Sequence, residues 1–297
     1  MKQRPFHPLR TFRPLLLLLA ALAPGCGANV AVPIHVEPFT IKSSDSSPAW
    51  SPDGRQVAFL RYHPGLAPGI WVVDTAGVAP HAIVGGSWGF IDWSPDGTHL
   101  AISAFAGIYT VRLNGDSLKK ITTTGFAPRW SPDGKELVFQ TRDTTGIGTI
   151  WIVSRDGTGL RSLAPPGTDS WDEPDWSPDG THLVHVRRSG GTGLADVYVM
   201  DTTGHAEQRL TTDISDKDGP VWSPDGKWIA FSIGTFAPAN ELWIMRPDGT
   251  EAHKLTFGGH LSWSPDSRRI AYSLLEFETV VLLTIDITTL RGTELTR

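Results

Sequence analysis

The chain has one cysteine, Cys26, and three methionines. A single cysteine excludes an intramolecular disulfide and any metal centre built on several thiolates, so the folded part must be held by its core alone. Charge is also sparse. Charged residues make up 19%, and Lys+Arg 26 stand against Asp+Glu 31 for a net charge of -5, so a general nucleic-acid role has no electrostatic support. The apolar run Leu15–Ala23 is too short to span a bilayer as a helix. The histidines form no His-x-x-x-His pair of the kind that holds a metal on a helix. Disorder is excluded as the dominant state by a hydrophobic content of 40%. What the chain has in quantity is Gly 31, Pro 23 and Trp 12, a composition of many turns and few long helices.

The N-terminus reads as a leader. Lys2, Arg4, Arg10 and Arg13 precede the apolar run, as in a secretory signal. The run ends in Leu22-Ala23-Pro24-Gly25-Cys26, which resembles a bacterial lipoprotein signal with Cys26 as the lipid anchor. The expected division is a signal peptide over 1–25, a linker over 26–38 and one folded domain over 39–297. The leader carries four cations and no acid, so the remainder is acidic. Gly27 follows the cysteine where some inner-membrane lipoproteins carry Asp, which favours the outer membrane of a Gram-negative cell.

Internal repetition organises the rest. Trp-Ser-Pro-Asp recurs at Trp50, Trp93, Trp130, Trp176, Trp222 and Trp263, spaced 37–46 residues apart, room for four strands per unit. Each motif is followed by a short apolar stretch such as Val57-Ala58-Phe59 or Leu137-Val138-Phe139, then by an apolar-aromatic pair such as Ile70-Trp71 or Ile150-Trp151. These stretches are too short for stable helices and rich in β-branched and aromatic residues, so they predict strands. Ser-Pro-Asp-Gly suits the turn between first and second strands, and Asn114-Gly115, Asp156-Gly157 and Asp248-Gly249 suit hairpins between third and fourth. An apolar residue ends each fourth strand: Ile83, Ile121, Leu163, Leu210, Leu255 and Leu295. The fold class is therefore all-β, a six-bladed β-propeller with four antiparallel strands per blade. The C-terminal strand is expected to complete the last blade, with residues 34–41 outside it.

This repeat resembles the WD-like repeats of the TolB propeller family, over residues 39–297. The resemblance implies the propeller and, by analogy, a peptidoglycan-associated lipoprotein as partner. TolB-type proteins carry an additional N-terminal α/β domain, whereas here only 26–38 precede the first strand-like segment, so a stand-alone propeller on a lipid tether is expected.

A residue present in all six copies does a job every blade needs. Asp53, Asp96, Asp133, Asp179, Asp225 and Asp266 are thus expected to bond their own turns, and the six motif Trp to wedge between blades. Function is expected where the copies differ: on the face formed by second-to-third and fourth-to-first connections. Two acidic loops there, with Asp169, Asp172, Glu173 and Asp175, and with Asp213, Asp216 and Asp218, are expected to pool negative charge for a partner. The second has the composition of a calcium loop, but its spacing departs from the EF-hand pattern and Lys217 interrupts it, so no cofactor is expected and Ca²⁺ is the alternative. Asp92, Arg129 and His260, with Asp175, are expected near the axial channel. Gly85-Gly86-Ser87-Trp88-Gly89 matches a hydrolase nucleophile pattern but joins two strands, where that chemistry has no scaffold. The expected function is a non-enzymatic, monomeric envelope lipoprotein, exported to the periplasm or cell surface. It would bind a protein, peptide or polysaccharide but no nucleic acid. The alternatives are a metal-dependent polysaccharide lyase-like enzyme or a subunit of an envelope assembly.

Overall fold

The computed structural model describes residues 43–76, 79–163, 169–191, 193–234, 240–276 and 279–296. The leader, Cys26 and the segment 34–41 lie outside the described residues. Each repeat folds as four antiparallel strands. The first unit holds β1 (Ser43–Trp50), β2 (Gln56–Tyr62), β3 (Gly69–Asp74) and β4 (His81–Gly85), and the second β5 (Ile91–Trp93), β6 (His99–Ala104), β7 (Gly107–Arg112) and β8 (Lys119–Lys120). The third holds β9 (Phe126–Trp130), β10 (Glu136–Arg142), β11 (Gly148–Ser154) and β12 (Arg161–Ser162). The fourth has β13 (Ser170–Trp176), β14 (His182–Arg188), β15 (Ala195–Asp201) and β16 (Gln208–Arg209). β17 (Asp216–Trp222), β18 (Ile229–Gly234), β19 (Glu241–Met245) and β20 (His253–Phe257) make the fifth. β21 (Gly259–Trp263), β22 (Arg269–Glu276), β23 (Thr279–Asp286) and β24 (Gly292–Glu294) make the sixth.

Local chemistry explains the regularity. In the third unit Ser131 Oγ donates to Asp133 Oδ1 at 2.8 Å and accepts from Glu136 N–H at 2.9 Å, while Asp133 Oδ1 accepts from Lys135 N–H at 3.1 Å. The same seryl–aspartyl bond closes the turns at Asp53, Asp96, Asp179, Asp225 and Asp266. These bonds hold the carboxyls of Asp96, Asp133 and Asp179 down at about 2, led in each case by the seryl hydroxyl. The aspartates are spent on architecture. Opposite the turn, second- and third-strand aromatics pair across the ladder, Phe59 with Trp71, Phe139 with Trp151 and Phe231 with Trp243.

The expectation of six separate sheets needs correction. Four units, β5–β8, β9–β12, β13–β16 and β17–β20, are independent four-stranded sheets, but β1–β4 and β21–β24 form one sheet of eight strands. The join is a short parallel contact in which Ser43 and Ser44 pair with Thr279 and Val280. Its cause is an incomplete edge: β24 covers β23 only over Leu283–Ile285, and the start of β1 pairs with the edge left open. As expected, the C-terminal strand completes the last unit, with Leu295 N–H donating to Leu282 C=O at 2.8 Å.

The core lies between units rather than within them. One apolar cluster joins Ala49, Ala58, Ile70 and Val72 of the first unit to Ile91, Trp93, Leu100 and Ile102 of the second. Similar clusters link each later unit to the next, and a final one joins Trp50, Val57 and Phe59 to Ala271 and Leu282, returning to the start. The third-to-fourth hairpins press on the preceding unit as well. Gly204, at φ +85, would place a Cβ 2.3 Å from Leu163 C=O, so no side chain fits there. First strands β1, β5, β9, β13, β17 and β21 touch in succession, and β21 touches β1. The units therefore stand in a ring around an axis.

Candidate functional site

The first strands face that axis, and five of them carry a bulge three residues before the motif Trp. Ser47, Ala127, Glu173, Gly219 and His260 all have φ between 51 and 55, and each sits at a register shift against the second strand. Such bulges re-aim the residue they carry relative to the rest of its strand. Only β5 keeps a regular register, with Phe90 at the equivalent place.

Two tiers result. In the first, Asp218 on β17 lies beside the carboxyl of Glu173 on β13, and Glu173 Oε2 accepts from Gly219 N–H at 2.6 Å. Gln140 Oε1 accepts from Glu173 N–H. Burial, then the Asp218 charge, pushes the Glu173 carboxyl well above the usual range. Beyond Asp218 lies His260, whose Nδ1 is 3.0 Å from Ser273 Oγ and whose ring faces Phe90 at 6.4 Å. His260 keeps solvent exposure, yet protein surrounds the imidazole, and desolvation holds its pKa low against the pull of Asp218.

The second tier sits two residues further along the strands, about 7 Å deeper from the variable-loop face. Arg129 lies between Asp92 Oδ1 at 3.6 Å and Asp175 Oδ1 at 3.9 Å. The other oxygens of these carboxylates have structural work: Asp92 Oδ2 accepts from Trp130 N–H at 2.7 Å and Asp175 Oδ2 from Trp222 N–H at 2.8 Å. Ser262 Oγ does the same for Trp50 N–H at 3.0 Å. The residue before the motif Trp thus alternates around the ring between a side-chain acceptor (Asp92, Asp175, Ser262) and Ala49, Arg129 or Val221. In the latter three units it is the backbone carbonyl that is used, accepting from the indole N–H of Trp93, Trp176 and Trp263. The repeat motif alone hides this alternation; aligning the residue before each Trp would have exposed it.

Burial raises the Asp92 carboxyl from its ordinary 3.8 to about 6, against the opposing charge of Arg129. Burial likewise raises Asp175. The folded protein therefore binds the Asp92 proton more tightly than the unfolded chain, and the site's contribution to stability falls as pH rises from about 4 to about 6. Asp92→Asn keeps an oxygen for Trp130 N–H and removes the desolvated charge. A shift of two units is worth about 3 kcal/mol, and channel water reduces the expected gain to about 1–2 kcal/mol at pH 8, with none at pH 4. Urea unfolding at both values checks this; an equal effect at the two would reject it.

The acidic loops do not pool their charge freely. Asp169 accepts from Arg187 Nη2 at 2.6 Å, Asp172 lies 3.0 Å from Arg142 Nη2, and Asp216 bonds Arg188 Nη1. Asp213 pairs with Lys217, an almost fully buried lysine whose Nζ also donates to Ser215 C=O at 2.8 Å and lies 3.7 Å from Asp196. With Asp175 held beside Arg129, only Glu173 and Asp218 of the seven acids form no ion pair with a cation among the described residues. No group of three His, Cys, Asp or Glu side chains is placed to hold a metal among the described residues.

A ring of twisted antiparallel units packed face to face around a channel defines a β-propeller. The sequence profile of the TolB beta propeller domain matches residues 37–193 and 169–297, and the chain belongs to that family. An uncharacterized protein of Agrobacterium fabrum is 30% identical over 180 residues, 59% of this chain and 60% of that protein. The Tol-Pal system protein TolB of Anaeromyxobacter sp. (strain K) is 30% identical over 138 residues, 43% of this chain and 30% of TolB. The chain thus matches less than two thirds of these relatives' length. Among solved structures, TolB from Acinetobacter baumannii superposes with a TM-score of 0.67 at 19% identity, covering 88% of this chain and 65% of that one. Oligogalacturonate lyase from Vibrio parahaemolyticus superposes at 0.54 and 17%, covering 80% and 75%. At these identities the likeness is one of fold.

Proposed function

We propose that the chain is a non-enzymatic binding scaffold of the bacterial envelope, presenting its variable-loop face and channel mouth to a protein, peptide or polysaccharide. The eight-stranded sheet is read as two blades joined at one edge, which makes a six-bladed ring. The observation that carries the reading is the division of labour among the copies. The repeated aspartates and glycines are consumed by turns, while the positions three residues before each motif Trp, Ser47, Phe90, Ala127, Glu173, Gly219 and His260, differ in every unit. The same face exposes Tyr62, Leu66, Leu194 and Ile214, the last at 93%, on loops held by a rigid frame. The leader and Cys26 support export and lipid attachment, and the Tol-Pal name of one set of relatives agrees with an envelope setting.

The test is retention of envelope components by the immobilised full chain. Leu194→Asp with Ile214→Asp is expected to abolish retention, and Leu118→Asp with Leu160→Asp, on the opposite face, to leave it unchanged. The reverse pattern would reject the face. Metal analysis separates the second reading, a lyase-like enzyme suggested by the fold shared with oligogalacturonate lyase: a stoichiometric transition metal in the active purified protein would favour it.

A further inference from the structure

Leu194 and Ile214 lie on adjoining loops, since Ala195 N–H donates to Asp216 Oδ1 at 2.8 Å. Both are exposed, and the loop carrying Ile214 runs directly into β17, four residues before Asp218. Ile214, with Leu194 on the loop beside it, therefore lies on the approach to β17, the strand that carries Asp218. The Glu173–Asp218 pair is the one acidic feature of the two loops without a cation among the described residues, and Arg129, the cation of the deeper tier, is already flanked by two carboxylates. Low-dielectric walls strengthen the negative field at the mouth, so an entering positive charge gains more here than on open surface. Phe90, whose ring stands 6.4 Å from the His260 imidazole at the same level, offers an aromatic face that favours a cation.

We infer that the segment taken by this face carries a lysine or arginine flanked by apolar residues, with the basic side chain entering the channel mouth at Glu173 and Asp218 and the flanking residues covering Leu194 and Ile214. This rests on the binding-face reading above and specifies the partner's chemistry. A bare metal ion or a polyamine would use the carboxyls and leave Leu194 and Ile214 uncovered, so a peptide segment of a protein is the occupant that satisfies both features.

Random peptides displayed on phage, selected against the full chain, test it. Enriched peptides are expected to carry Lys or Arg beside apolar residues. As synthetic peptides they should bind the Glu173→Gln/Asp218→Asn variant about tenfold more weakly or worse. Both replacements keep an oxygen acceptor and remove charge from a crowded pair, and circular dichroism verifies that the variant is folded. Enriched peptides without a basic residue, or equal affinity for that variant, would overturn the inference; if the same peptides were still lost by Leu194→Asp with Ile214→Asp, the binding face would survive without it. Peptides indifferent to both variants would remove the face as well. Binding of calcium or spermine abolished by the double variant, with no peptide enriched, would reassign the carboxyls to a small cation and reject the inference.

Discussion

Replacing Trp93 with alanine is expected to destabilise the fold by about 3–5 kcal/mol, measured by urea unfolding with circular dichroism. The indole is almost fully buried, packed against Ala49, Ile70 and Val72 of the preceding unit, and its N–H donates to Ala49 C=O at 2.8 Å. Both cavity and lost bond fall on an inter-unit contact, so the ring has no second layer of core to compensate. Phenylalanine separates the two contributions. Trp93→Phe keeps most of the apolar contact but removes the indole bond to the Ala49 carbonyl, at about 1–2 kcal/mol. Trp130→Phe is expected to cost less, because the Trp130 indole nitrogen is buried without a hydrogen-bond partner. The Arg155 guanidinium over the Trp130 ring, 5.6 Å from its centroid, is an exposed contact that phenylalanine largely keeps. Equal costs for the two phenylalanine variants would show that the indole bond contributes nothing.

Lys217→Met is expected to cost about 3 kcal/mol. The ammonium is 1% exposed and sits among oxygens: the Asp213 carboxylate, Ser215 C=O, Asp213 C=O and Asp196 Oδ1. Burial lowers its pKa, with Asp196 opposing. Methionine fills a similar volume but supplies no donor, so the carbonyls that bonded Nζ are left dry while the more exposed Asp213 side chain returns to water. The arrangement also explains the calcium-like composition of the loop. A tethered ammonium stands where a cation would be coordinated, and millimolar calcium is expected to leave the Tm of the native chain unchanged. A rise of several degrees with calcium would reject that assignment, and an unchanged unfolding midpoint for Lys217→Met would show that the buried bonds carry no net stability.

Much of the fold is legible because a repeat aligns against itself. Six motif tryptophans fall at the ends of β1, β5, β9, β13, β17 and β21, and the seryl–aspartyl turn follows each as its residues predict. Asp96 and Asp92, four residues apart, show the limit. The first is explained by its own turn and could be set aside from sequence; the second acts on Trp130 in the next unit, 38 residues away. The partners of the seven loop acids are less legible in the sequence. Their cations, Arg142, Arg187 and Arg188, end second strands, and Asp172 meets Arg142 only because β10 of the third unit packs beside β13 of the fourth.

Sequence alone determined the strands, the turns and the tryptophan interfaces, because each depends on residues within a few positions or on a pattern repeated in every unit. Tertiary structure decided the joining of the first and last units through Ser43 and Thr279, and the survival of Glu173 and Asp218 as the acids without a basic partner among the described residues. Both follow from ring closure. Closing the ring brings an open stretch of β23 against the start of β1, and it sets neighbouring first strands side by side, where charge is either neutralised or left over according to what the next unit supplies.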